Sequence, residues 1–273
     1  KFGRIFFEAY KMKNFTSALW TETLKMRRSK VSFFTALGFS IVPLVGGLLM
    51  IILKDPEAAR SMGLISTKAQ MLAGVADWPT YFNVLAQAVA VGGSILFAIV
   101  TIWVFGREFS DRTAKELLAL PTSREMIVGA KFVVITVWTL FLTLFIFGVG
   151  LLVGYLVVIP GWSMNLLQTA FIDITGTAIL VIALLPVVAF AASIGRGYMP
   201  PFGWIIFSVM LSQIAVITGW GDWFPWSVSA LFSGAVGPRV EQLEIHSYVI
   251  VLLTSLIGLA ATFYWWRYAD QAK

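Results

Sequence analysis

Residues able to do chemistry are few in this chain, and they are scattered. It has no cysteine and one histidine, His246. Thiolate chemistry, disulfides and histidine or cysteine metal clusters are therefore excluded, and a zinc hydrolase has no ligand set. Asp173 is the one acidic residue within a long apolar run. A carboxylate in lipid is costly, so it either serves a pathway or is satisfied at the interface by water, Thr175 or Thr177. Asn83, Gln87 and Gln213 lie in other apolar runs, as candidate pathway-lining residues or as interhelical hydrogen-bond partners. Trp220, Trp223 and Trp226, with Phe224, read as a membrane-interface belt. As a candidate external aromatic site they would suit an amphipathic peptide or a lipid-like molecule. His246 reads as an interfacial side chain without a special role.

The densest chemistry is the charged run 106–124. A simple connection between two membrane spans needs only a few polar residues, whereas this one reads as a charged helix stopped by Pro121. Phe109, Thr113, Leu117 and Leu120 fall on one face, and Asp111, Arg112, Lys115 and Glu116 on the rest. It is either a solvated loop helix or a docking helix for a groove on a soluble partner. Residues 14–30 read as a second amphipathic helix, capped by Asn14. Phe15, Ala18, Leu19 and Met26 make one apolar stripe; Trp20, Leu24 and Val31 lie nearly opposite. Between them sit Lys25, Arg27, Arg28 and Lys30. The helix either lies on anionic headgroups or puts one face on lipid and the other on a protein.

The elements that must hold these residues follow from composition. The chain has 273 residues, 59% hydrophobic and 12% charged, with a mean hydropathy of +0.85 and a net charge of +6. A soluble domain carries roughly twice that share of charge, so a soluble enzyme and a disordered chain are both disfavoured. Six runs are long enough to cross a bilayer: 33–53, 83–105, 127–159, 168–195, 202–218 and 247–266. They lack the alternation of a β-barrel. Segment 219–246 is too short to span and too apolar for an ordinary loop, which suggests a re-entrant element covered by protein. Gly150 and Gly154, and the cluster Gly92-Gly93-Ser94, permit close helix approach. Pro43 and Pro186 suggest kinks. No cleavable signal is evident ahead of residue 33, and Met12 looks like a natural initiation point, with residues 1–11 an extension.

Sorted by side, sixteen basic residues fall with the N-terminal segment 1–32, the run 106–131, Arg196 and the C-terminal tail, and four fall opposite. The positive-inside rule puts the sixteen, and with them both termini, in the cytoplasm.

Residues 105–134, FGREFSDRTAKELLALPTSREMIVGAKFVV, resemble the cytoplasmic loop of ABC transporter type-2 permeases, nearest in kind to bacterial permeases of the bacitracin-resistance and lantibiotic-immunity type. Glu108, Phe109, Thr113, Leu117, Leu118, Pro121, Ser123, Arg124 and Lys131 carry the match, and residues 18–30 and the six-span layout also fit. The resemblance implies an all-α polytopic membrane protein with an ABCG-like type-2 exporter fold. Residues 1–32 would hold the connecting helix and 106–124 the coupling helix. It implies a permease subunit, not an enzyme, that moves a hydrophobic or amphipathic substrate across the bacterial cell membrane. Its partners would be a second permease subunit, identical or not, two copies of a cytoplasmic ABC ATPase, and membrane lipid, without nucleic acid. The chain has no GxxxxGK[ST] phosphate loop, so ATP and Mg would belong to the ATPase and no cofactor to this chain. Coupling would run through Glu108, Phe109, Arg112, Thr113, Lys115, Glu116, Leu117, Pro121 and Arg124. Glu108 would pair with a basic group of the ATPase, or brace the elbow through Arg107 or Arg112. The alternatives are a secondary transporter or channel without an ATPase, and a membrane-embedded enzyme. Nearly charge-free spans argue against the first of these, and the lack of a clustered acid or histidine constellation against the second.

Overall fold

The computed structural model describes residues 2–55, 60, 63, 74–111, 113, 122–235 and 243–268, with side chains from Asn14 onward. The described residues are helical apart from turns and connections. The helices are α1 (Phe2–Arg28), α2 (Lys30–Lys54), α3 (Trp78–Ser110), α4 (Arg124–Val157), α5 (Met164–Ile194), α6 (Met199–Ile217), a 3-10 turn (Gly221–Trp223), α7 (Pro225–Phe232) and α8 (Ile245–Tyr268). Six of them, α2 to α6 and α8, are long and apolar enough to cross a membrane.

The helix ends follow local capping chemistry. Ser29 is extended, and its hydroxyl accepts from Ser32 N, which breaks α1 from α2. Asp77 caps α3 by accepting from Thr80 N, and Ser123 and Ser163 do the same for α4 and α5. The cap read at Asn14 is corrected. α1 runs unbroken through that residue and stops at Arg28, because the first capping serine is Ser29. Residues 106–110 are also reassigned: they are the last turn of α3, not the start of a separate helix. Arg112 and residues 114–121, with Lys115, Glu116, Leu117 and Pro121 among them, lie outside the described residues.

Two polar contacts fix the sense of the bundle. At one end, Lys54 Nζ donates to the terminal carbonyls of α4, Val157 O at 2.5 Å and Val158 O at 2.9 Å, a favourable place for a cation. At the other, Arg124 at the start of α4 donates to Trp266 O and Arg267 O at the end of α8. The spans therefore alternate in direction, and α1 and the end of α8 share one face of the bundle.

α3 and α5 form the centre, flanked by α2, α4, α6 and α8. Phe39 of α2 stacks on Phe97 of α3 with centroids 5.4 Å apart. Small residues allow the close contacts. A Cβ on Gly150 would come within 2.5 Å of Leu85, and one on Gly154 would enter the Trp78 ring. Gly258 of α8 lies against the backbone of α5 at Pro186 and Val187. Beside it Thr262 donates to Pro186 O, and a turn further on the buried Trp266 indole donates to Ser193 Oγ at 2.9 Å. On the far side α7 is packed among α5, α6 and α8. Its Ser227, Val228, Ser229, Ala230 and Leu231 are all buried.

Gly154→Val should drive its side chain into Trp78 and cost about 1–3 kcal/mol, the usual penalty of overpacking. Gly148, with open space around it, provides the control: Gly148→Ala should leave the thermal unfolding midpoint in detergent unchanged.

Candidate functional site: a buried charge cluster at the α1–α3–α4 junction

Where the last turns of α3 meet α1 and α4, an otherwise apolar interior holds four charged side chains. Lys131 of α4 is fully buried, and Glu22 and Glu108 nearly so. Lys131 Nζ lies 3.2 Å from Glu22 Oε2 and 3.1 Å from Glu108 Oε1, and it donates to Val104 O at 2.8 Å. All three ammonium protons thus have acceptors. Lys25 Nζ bridges the same two carboxylates, 2.8 Å from Glu22 and 3.0 Å from Glu108. Thr113 Oγ1 donates to the other oxygen of Glu108 at 2.9 Å, and Thr113 N donates to its carbonyl. The result is a neutral square of two lysines and two carboxylates that ties three helices together.

Its walls are aromatic. Lys131 Nζ also lies 5.8 Å from the Phe105 ring centre, and Phe105 packs on Phe132 and Trp266. Arg107 sits only at the edge, 3.6 Å from Glu108, with its guanidinium over Trp103. Gly106 touches the α5–α6 connection, where Tyr198 bonds to Ser110. Burial pushes the Tyr198 hydroxyl up from its ordinary value, and the Asp111 carboxylate adds to this.

The charged run is thus distributed differently from the sequence expectation. Glu108 is braced mainly by Lys131 and Lys25, with Arg107 as a longer contact at the edge; Arg112 lies outside the described residues. Phe109 belongs to α3 and packs on Trp266 with centroids 6.0 Å apart. Arg124 is engaged with the end of α8, beside an exposed Glu125–Arg267 pair. Glu22, Lys25 and Lys131 were not read as site residues, yet each carries a signal. Glu22 is the one acidic residue among the basic ones of 14–30, it is spaced i,i+3 from Lys25, and Lys131 is a lone lysine within an apolar run.

The other candidates lie apart. Asn83, Gln87, Gln213 and Asp173 are all half-buried. Gln87 donates to Gly234 O beyond α7, which joins α3 to the far-side element. Asp173 is engaged within the fold, and its carbonyl accepts from Thr177. The three tryptophans make separate contacts. Trp220 is exposed, Trp223 stacks on His246 at 4.3 Å, and Trp226 packs on Trp204 and Phe224. His246 has more partners than a plain interfacial residue: Asp222 lies 3.1 Å from Nε2 and Glu244 3.5 Å from Nδ1. Among the described residues no cluster has the makings of a metal site.

Comparison with known proteins adds two findings. Residues 18–213 match the profile described as ABC-2 family transporter protein. The chain is also similar to the bacitracin transport permease protein BCRB of Bacillus licheniformis, with 30% identity over 196 residues, 70% of this chain and 91% of that protein. The cluster, from Glu22 to Lys131, lies inside the stretch that matches the profile.

Lys131→Met strands two carboxylates beside one lysine and should cost about 3–5 kcal/mol, as removal of one buried partner does. Adding Glu108→Leu restores neutrality with the Glu22–Lys25 pair intact, and should recover part of the loss. Thermal unfolding of the two purified variants in detergent checks both statements.

Proposed function

The chain belongs to the ABC-2 transporter family, a multi-pass membrane permease, and from that premise we propose that it is the membrane subunit of an ATP-driven exporter, powered by a separate cytoplasmic ABC ATPase. The cargo is hydrophobic or amphipathic, of the peptide-antibiotic or lipid-like kind. The similarity to the bacitracin transport permease supports that class, and with it a role in antibiotic resistance. Both termini face the cytoplasm of a bacterial cell, with the sixteen-to-four bias of basic residues as support. The working unit is two permease subunits with two ATPase subunits, and ATP and Mg bind the latter.

The observation that carries the reading is the charge cluster. It stands where α3 leaves the bundle for the charged segment 112–121, and it locks α1 and α4 to that end of α3. When the ATPases close, they push on the loop after α3. A flexible elbow would absorb that displacement, whereas one held by four charges passes it to three helices together. Arg112, Lys115, Glu116, Leu117 and Pro121 then form the ATPase-facing surface. Glu108, Phe109, Thr113 and Arg124 hold that surface to the bundle from inside. Along α3 the motion reaches Asn83 and Gln87, which with Gln213 and Asp173 line the pathway. Trp220, Trp223 and Trp226 border its outer exit.

The reading is tested by purification and transport. The tagged chain should retain a subunit that hydrolyses Mg-ATP, and orthovanadate should stop export; failure of both overturns it. Glu108→Gln keeps the side-chain shape and leaves Lys131 one carboxylate. In vesicles holding the assembled complex, it should leave ATP hydrolysis within about twofold while transport falls at least about tenfold, a difference that isolates coupling from hydrolysis. Equal falls in the two rates would argue against a coupling role.

A further inference from the structure

The basic residues of α1 divide sharply. Lys25 is turned inward and fully committed to Glu22 and Glu108. Arg27, Arg28 and Lys30, directly after it, are exposed and make no ion pair among the described residues. Arg27 also forms the rim of a cavity of about 270 Å³ between α1 and α4, whose walls include Leu19, Met26, Val133, Val137 and Trp138. This cavity opens outward: Val133 is 38% exposed and Val137 62%. Its apolar wall is held in place, because the Trp138 indole donates to Thr35 Oγ1 at 3.3 Å and Thr35 is buried. Thr23, also at the rim, has its hydroxyl proton committed to Leu19 O and keeps lone pairs only.

Depth sets what can fill such a space. Arg27, at the rim, stands two residues before Ser29, where α1 gives way to the first spanning helix, so the charged rim belongs at headgroup level and the apolar wall at acyl level. A soluble partner cannot reach Val137 without entering lipid. A zwitterionic lipid would bring its own ammonium beside Arg27, whereas an anionic one meets the arginine with a net negative charge, and the exposed Arg28 and Lys30 nearby add to the attraction.

The geometry points to a specific site for one anionic phospholipid of the leaflet on the α1 side, with its phosphate at Arg27 and one acyl chain against Val133, Val137 and Trp138. The site is independent of the ATPase reading, because it depends on the bilayer alone. Its occupant bridges α1 to α4 on the lipid side of the same junction that the charge cluster closes from within.

Native mass spectrometry of the full chain, released from mixed micelles containing phosphatidylglycerol and phosphatidylcholine, tests it. One phosphatidylglycerol per chain should be retained in preference to phosphatidylcholine. Arg27→Glu should weaken that retention at least about tenfold, the effect of reversing one charge at a lipid surface. Val137→Trp, on an exposed position that does not threaten the core, should weaken it by filling the groove while the unfolding midpoint holds. Equal retention of the two lipids, or retention unchanged in both variants, would overturn the site. So would Arg27→Glu leaving lipid retention intact while releasing a bound ATPase, since the arginine would then face a protein.

Discussion

A lysine with no exposure to solvent needs negative charge within reach, and Lys131 obtains it from two other helices at once. Moving an ion into such surroundings costs several kcal/mol even after relaxation. Coulomb attraction offsets that only when the geometry is good and every proton has an acceptor. Both conditions hold here: Glu22, Glu108 and Val104 O take the three protons, and Lys25 balances the second carboxylate. Such a network adds little net stability over well-packed hydrocarbon. What it contributes is placement. Sliding α1 by one turn would break the two pairs that cross from it, Lys25–Glu108 and Glu22–Lys131, and split the square into the separate pairs Glu22–Lys25 and Glu108–Lys131.

That constraint organises the rest of the bundle. α3 must extend beyond the apolar run 83–105 to bring Glu108 under Lys131, and its last turn then presents Phe109 to Trp266. Trp266 in turn holds α8 to α5 through Ser193, a few turns from the Gly258–Pro186 contact. The polar junction and the aromatic layer behind it are therefore one assembly. At the opposite end of the bundle the polar ties among the described residues are lighter: Lys54 on the end of α4, Gln87 on Gly234, and His246 between Asp222 and Glu244. Of the two ends, the α1 side is the better braced.

Much of this was legible in the sequence. Length and apolarity of the six runs defined the spans, because a helix in lipid has few alternatives, and the observed helices contain those runs within a few residues at each end. The residues at the ends were less legible. Capping depends on single serines and an aspartate whose role appears only once the chain direction is known, so Asn14 was read as a cap that the folded chain does not use. The candidate site was half legible. Glu108 stood out as a charge at the end of a span, but its partners lie 83 and 23 positions away along the chain, and pairing at that distance is a property of packing. Of the two apolar stripes read in this segment, Leu19 and Met26 pack inward and Trp20 stays 62% exposed, but Val31, read with Trp20, belongs to α2 and packs on the same core as Leu19.

The order of the cluster along the chain has a consequence for biosynthesis. Glu22, Lys25 and Glu108 are all made before Lys131. When α4 reaches the membrane, its lysine arrives last, at a site where both carboxylates are already waiting. Until α1 and α3 stand together, α4 carries an uncompensated charge one turn inside an apolar segment and gains nothing by settling deeper. Its seating is thus conditional on the two earlier helices, and the subunit acquires its arrangement from the N-terminus forward, with the lysine closing the junction only when the preceding segments have met.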